Sequence, residues 1–141
     1  MTPVGEWLVL AERVLHDSQT DMLSLINCLE VVPASSFPAA HVGFAMVARY
    51  RLDEAPPTED VPVTYRLVRV SSVDGEEQVA QFEVPWAANT THTRLATRFA
   101  ALRLLRAERL TFRVDHRVGD AAWIEGPSSA LDVVTTASPG D

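Results

Sequence analysis

Apolar and polar residues alternate along most of this chain, and the alternating runs are short and separated by turn signals. In the clearest run, Val42, Phe44, Met46, Ala48, Tyr50 and Leu52 share one face, while His41, Gly43, Arg49 and Arg51 share the other with Ala45 and Val47. A period of two predicts a strand with one buried side. The same pattern recurs at Ala80, Phe82, Val84 and Trp86, and again at Leu110, Phe112, Val114, His116 and Val118. Val61 to Val70 reads as a further strand, with Pro62 at its entry, and Asp74-Gly75 marks a hairpin after it.

Near the N-terminus, Trp7 to Leu15 and Met22 to Val32 form two apolar runs around a polar turn, which predicts a hairpin. The second run is apolar on both faces: Leu23, Leu25, Leu29 and Val31 point one way, and Met22, Ile26, Cys28 and Val32 the other. Such a strand is central in a sheet, or another surface covers its outer face. Residues 93–110 carry a competing signal, because Leu95, Phe99, Leu102 and Arg106 also fit a helical stripe. The β pattern on either side and the β-branched or aromatic Thr93, Thr97 and Phe99 favour a strand over about 94–102. Gly119-Asp120 turns the chain into a last segment holding Trp123, Ile124, Leu131, Val133 and Val134.

Seven to eight short strands at this spacing define an all-β class. The expected architecture is an antiparallel two-sheet sandwich, immunoglobulin-like or a related Greek key. One domain is expected over residues 5–135, with a loose C-terminal tail over 136–141. At 141 residues a single ordinary core suffices.

Composition and charge narrow the function classes. Cys28 is the single cysteine, so neither an intrachain disulfide nor a cysteine-based zinc site can form. The N-terminal residues lack the basic and apolar stretches of a signal peptide, and no run of about 18 apolar residues occurs. A cytoplasmic protein without membrane contact is expected. The net charge of −7 disfavours nucleic acid and anionic lipid as partners. The charge is uneven, however: residues 94–117 hold seven Arg against Glu108 and Asp115, a local +5.

The run Leu23-Ser24-Leu25-Ile26-Asn27, followed by Glu30 and Phe37-Pro38, resembles the opening of a bacterial family of small stand-alone β-rich proteins of unassigned function. The similarity continues through Leu95, Phe99, Leu110 to Val114 and the tip Asp115 to Asp120, so it spans about residues 7–134. At that tip this chain lacks the tighter Asp-Gly turn. The resemblance implies a small β-rich fold, supports a strand near Phe99, and implies no activity.

The polar residues offer several candidate sites. His16, Asp17, Ser18, Thr20 and Asp21 bring a histidine, two carboxylates and two hydroxyls into six residues, a set that suits either metal ligation or a capped hairpin turn. Turn capping is the simpler reading. His116 lies near Asp115 and Asp120 but in register with Leu110, Phe112 and Val114, so a partly buried or rim histidine is expected. His41 and His92 have no local partner. No Gly-x-Ser-x-Gly elbow, cysteine–base pair or phosphate-cradling glycine loop is present. No catalytic residue, metal or cofactor is therefore expected.

Two binding surfaces remain. Arg94 and Arg98 on one strand, with Arg113 and Arg117 on the next, can receive an acidic protein or, as an alternative, nucleic-acid phosphate or a small ligand. Ile26 and Cys28 mark the second apolar face of the N-terminal run, which with Trp7, Trp86 and Trp123 suggests self-association or docking of a partner. A non-enzymatic protein-interaction or assembly module, acting on a protein partner or as a homo-oligomer, is the favoured function. An enzyme is the most distant alternative.

Overall fold

A computed structural model describes residues 1–136, and these contain nine strands and no helix. The strands are β1 (Val4–His16), β2 (Leu23–Cys28), β3 (Val31–Ala34), β4 (Ala39–Arg51), β5 (Val63–Ser71), β6 (Gly75–Glu83), β7 (His92–Leu104), β8 (Glu108–Val118) and β9 (Ser128–Thr135). They form a four-stranded sheet ordered β2-β1-β4-β7 and a five-stranded sheet ordered β3-β9-β8-β5-β6. The expected two-sheet sandwich is therefore observed. Between the paired β4 and β7 the chain makes the β5–β6 hairpin in the other sheet. Between β5 and β8 it returns through β7. These interlocked crossovers are Greek-key connections of the immunoglobulin-like kind. The expected tail lies outside the described residues except for Thr136.

Residues 93–104 lie in a strand, residues 105–107 form a turn, and β8 begins at Glu108. β7 pairs with β4 from His92 to Leu104, so tertiary pairing overrides the helical stripe. The strand count and the pairing differ in one place from the expected seven to eight antiparallel strands. The run Met22–Val32 is two strands, because Asn27 adopts a left-handed backbone (φ 53°) and the chain then leaves the first sheet. β2 forms the hairpin with β1, while β3 crosses to the other sheet and pairs parallel to β9. Leu29 and Val32 both enter the core, and Val31 and Cys28 are exposed. Pro33 is tolerated because β3 is an edge strand.

The core fills the space between the sheets. Leu8, Leu10, Phe44, Met46, Ala48, Tyr50 and Leu95 meet Tyr65, Leu67, Phe112, Val114, Leu131 and Val133. Aromatic pairs cross it, with ring centres 5.6 Å apart for Phe44 and Phe112 and 5.4 Å apart for Tyr50 and Tyr65. Trp86 is fully buried and donates from Nε1 to the Thr90 carbonyl at 2.9 Å, so it offers nothing to a partner.

The alternation of β4 breaks at one residue. Gly43 takes a left-handed conformation (φ 84°); Phe44 beyond it is buried, whereas Val42 before it is 77% exposed. A side chain is strained there, and glycine is not. The neighbouring strands change face at the same level: Phe99 points inward on β7 but so do Leu102 and Leu104, and on β1 Leu10 faces the core while Val14 joins an outer cluster. As a result, the β1–β2 hairpin lies over the outer face of its own sheet, where Val14, Leu23 and Leu25 pack on Ala45 and Val47. The cover falls on Leu23 and Leu25; of the second apolar face, Val32 enters the core and Ile26 is half-buried, but Met22 (66%) and Cys28 are exposed.

Candidate functional site

The four arginines singled out from the sequence do not form one surface. Arg94 and Arg98 lie on β7 in the four-stranded sheet, and Arg113 and Arg117 lie on β8 in the other, so the pairs occupy opposite outer faces of the sandwich.

On the four-stranded sheet, the β4–β7 register sets Arg98 beside Ala45, Ala96 beside Val47 and Arg94 beside Arg49, all outward. The overlying hairpin leaves a groove of about 1050 Å³ lined by Val14, His16, Asp21, Arg49, Arg94 and Arg98, with His92 at one end. Arg94 Nη2 donates to the Asp21 carbonyl at 2.6 Å and lies 3.1 Å from its carboxylate. His16 Nε2 approaches the same carboxylate at 2.8 Å. The His16 bond and the Arg94 charge hold the Asp21 carboxyl below its ordinary range. Arg98 Nη2 donates to the Val14 carbonyl at 3.1 Å and meets no carboxylate among the described residues. Arg49 pairs with Glu6 at 2.9 Å. The groove is therefore cationic, and part of its charge is bound only to neutral carbonyls.

The polar cluster at 16–21 is a capped turn. Asp17 Oδ1 accepts from the backbone N–H of Gln19 at 2.9 Å and of Thr20 at 3.3 Å, and these bonds lower its pKa. Among the described residues, no group of three or more His, Cys, Asp or Glu is arranged to hold a metal ion. Ile26 is half-buried and Cys28 exposed on β2, away from the groove lining.

The outer face of the five-stranded sheet is organised differently. Asp115 has no exposed surface, although it points away from the main core. Arg113 binds it in a fork, at 2.6 and 3.0 Å, and Arg66 binds it at 2.9 Å from the paired position on β5. Burial alone would raise the Asp115 carboxyl, but the two guanidiniums outweigh it and hold the pKa below the ordinary range. Arg113 also bonds Glu76 at 3.0 Å, and burial only partly offsets these partners, which drive its pKa upward. Trp123 lies between Arg66 and Arg117, whose guanidinium carbons stand 4.4 and 4.7 Å from its ring centre.

Sequence reasoning did not assemble this cluster, since Arg66 and Asp115 are 49 residues apart. A tryptophan inside the Gly119–Gly126 turn region was the available signal.

His116 is more buried than the expected rim position, at 1% exposure. Its ring packs edge-on to Tyr50 at 5.3 Å, and neither ring nitrogen has a hydrogen-bond partner. Burial lowers its pKa, with Asp115 acting weakly against that. Tyr50 donates to the Val114 carbonyl at 3.1 Å. Gly126 lies so close that a Cβ there would fall 2.1 Å from that carbonyl and 2.6 Å from the Tyr50 hydroxyl.

No family model matches the chain, and no curated protein matches it. Among solved structures, an immunoglobulin-like protein from Pseudomonas aeruginosa is similar over 95% of this chain and 98% of its own, with 18% identity and a TM-score of 0.41. The sandwich assignment rests on the strand pairing of this chain. No helix among the described residues is long and apolar enough to cross a membrane.

Proposed function

We propose that this protein is a non-catalytic interaction module that binds an extended segment of another protein by adding it as a strand to the edge of β7. The observation that carries this reading is the contrast between β7 and the other three sheet edges. β3 is four residues long and contains Pro33. β6 presents Glu76, Glu77 and Glu83. β2 is six residues long and ends one residue after the left-handed Asn27. Short strands, proline and charge are the usual protections of an edge. β7 is 13 residues long and contains no proline, and its charged residues, Arg94, Arg98 and Arg103, are all basic. Charge of one sign repels a like-charged strand but not an acidic one, so this long edge remains a template for a strand of opposite charge, and strand addition is a common mode of peptide recognition.

A nucleic-acid reading draws less support, because the arginines divide between two faces and Arg113 is already saturated by carboxylates. A cytoplasmic home belongs to the same proposal, since the exposed, unpaired Cys28 suits a reducing compartment. Screening a displayed library of random octapeptides tests the module directly. Enriched peptides should be strand formers without proline, and should slow amide hydrogen exchange along β7. Absence of enrichment, or protection confined to another strand, overturns the reading.

A further inference from the structure

We infer that the partner segment is acidic on one face and apolar on the other, with carboxylates four residues apart; this rests on strand addition at β7. The two faces of β7 differ in chemistry. Arg94, Ala96 and Arg98 face outward beside Arg49, Val47 and Ala45, and Leu95, Thr97 and Phe99 face inward beside Ala48, Met46 and Phe44. Along a strand, Arg94 and Arg98 are about 13 Å apart, so an added strand sets residues p and p+4 against them. Residue p+2 then lies against Ala96 and must be small or β-branched. Residues p+1 and p+3 fall beside Leu95 and Thr97, and the residue next to the one that faces Arg98, just outside the acidic pair, falls beside Phe99. Phe99 is only half-buried although it packs on Phe44 at 5.1 Å, and apolar partner side chains would complete its cover.

Charge selects the occupant. Arg98 is bonded to a carbonyl and Arg94 shares a single exposed carboxylate, while His92 and His16 line the same groove. Carboxylates at p and p+4 can form charge-assisted bonds there. A second copy of this chain fits this position poorly, because two β7 edges paired antiparallel about Ala96 set Arg94 opposite Arg98 twice, and like charges directly opposite are destabilising. The far end of the edge is closed. Arg69, reaching across from the other sheet, donates to the Arg103 carbonyl at 2.9 Å, which leaves residues 92–100 for the partner.

The test uses a fluorescein-labelled nonapeptide with the central sequence Glu-Val-Thr-Val-Glu, followed by fluorescence anisotropy at low salt. Its Gln-Val-Thr-Val-Gln twin should bind about tenfold more weakly, as should the Glu peptide on the Arg94→Gln/Arg98→Gln double variant. Arg109→Gln, on the opposite sheet and 72% exposed, should change nothing. An unchanged urea midpoint confirms that the double variant is folded. Equal binding of the two peptides overturns the acidic specificity. A Glu peptide methylated on alternate amide nitrogens reports separately on strand addition: if it binds as well as its parent, that mode falls whatever the charge preference. Tighter, Arg94- and Arg98-dependent binding of a nine-residue thymidine oligonucleotide, or no peptide binding at 1 mM, also overturns the proposal.

Discussion

Arginines line both outer faces of this sandwich, yet the two faces use them in opposite ways. On the five-stranded sheet, Arg66 and Arg113 enclose a carboxylate with no exposed surface, and Arg66 and Arg117 stack on Trp123. Each guanidinium plane has a fixed partner, which makes this a closed structural unit. On the four-stranded sheet, Arg98 donates to a carbonyl, and Arg94 meets one carboxylate that is itself 80% exposed. Those charges remain available. An arginine count along the sequence is therefore a poor guide to binding, and the burial of the acceptor separates the two roles.

If this contrast holds, removing the acceptor on the closed face should have the largest effect. Asp115→Ala leaves Arg66 and Arg113 facing a desolvated void, and the loss of stability should be about 3 kcal/mol, measured by urea unfolding. A loss below about 1 kcal/mol would place Asp115 with the exposed pairs and erase the distinction. Gly126→Ala comes next. Its Cβ cannot fit beside the Val114 carbonyl and the Tyr50 hydroxyl, so the segment flanking Trp123 must shift, at a cost of about 2 kcal/mol.

Much of the fold could be read from alternation. β5, β8 and the β5–β6 hairpin fall where periodicity and Asp74-Gly75 put them, and β7 is a strand despite its helical stripe. The failures have local causes. Val42 was expected inside, but the left-handed Gly43 reverses the faces. Met22–Val32 was expected to be one two-faced strand, but Asn27 divides it between sheets. Arg94 and Arg98 were correctly paired on one face, whereas their separation from Arg113 and Arg117 depends on which sheet each strand joins. That choice is set by long-range pairing, which no local pattern encodes. The Asp115 cluster was missed for the same reason.

The residue after Asp115 offers a smaller titration of the same sign in a higher pH window. His116 faces the core, and burial lowers its pKa below the ordinary 6.5. The unfolded chain therefore takes up a proton before the folded one does. Stability contributed by this group is complete above pH 6.5 and declines as pH falls from there toward the folded value, by at most about 1.4 kcal/mol per pH unit. Asp115, whose pKa is depressed, loses its contribution only in a separate window below the ordinary carboxylate value of 3.8. In His116→Leu the decline between pH 6.5 and 5 should shrink while the more acidic transition remains. Neither ring nitrogen has a partner to lose, so stability at pH 7.5 should not fall through a broken hydrogen bond.

The smallest expected effect is the most informative for the open face. Arg98→Gln removes a guanidinium whose acceptor is the Val14 carbonyl, and glutamine retains an N–H donor and part of the apolar stem over the groove. No carboxylate is left uncompensated, because none is bound to it among the described residues. The change in unfolding free energy should therefore be within about 0.5 kcal/mol, as for an ordinary surface substitution. A loss comparable to that of Asp115→Ala would mean that Arg98 clamps the hairpin over Ala45 and Val47, and the groove would then be as structural as the opposite face. Near-neutral stability leaves the Arg98 charge without a role in holding the fold, which is the condition for its use in recognition.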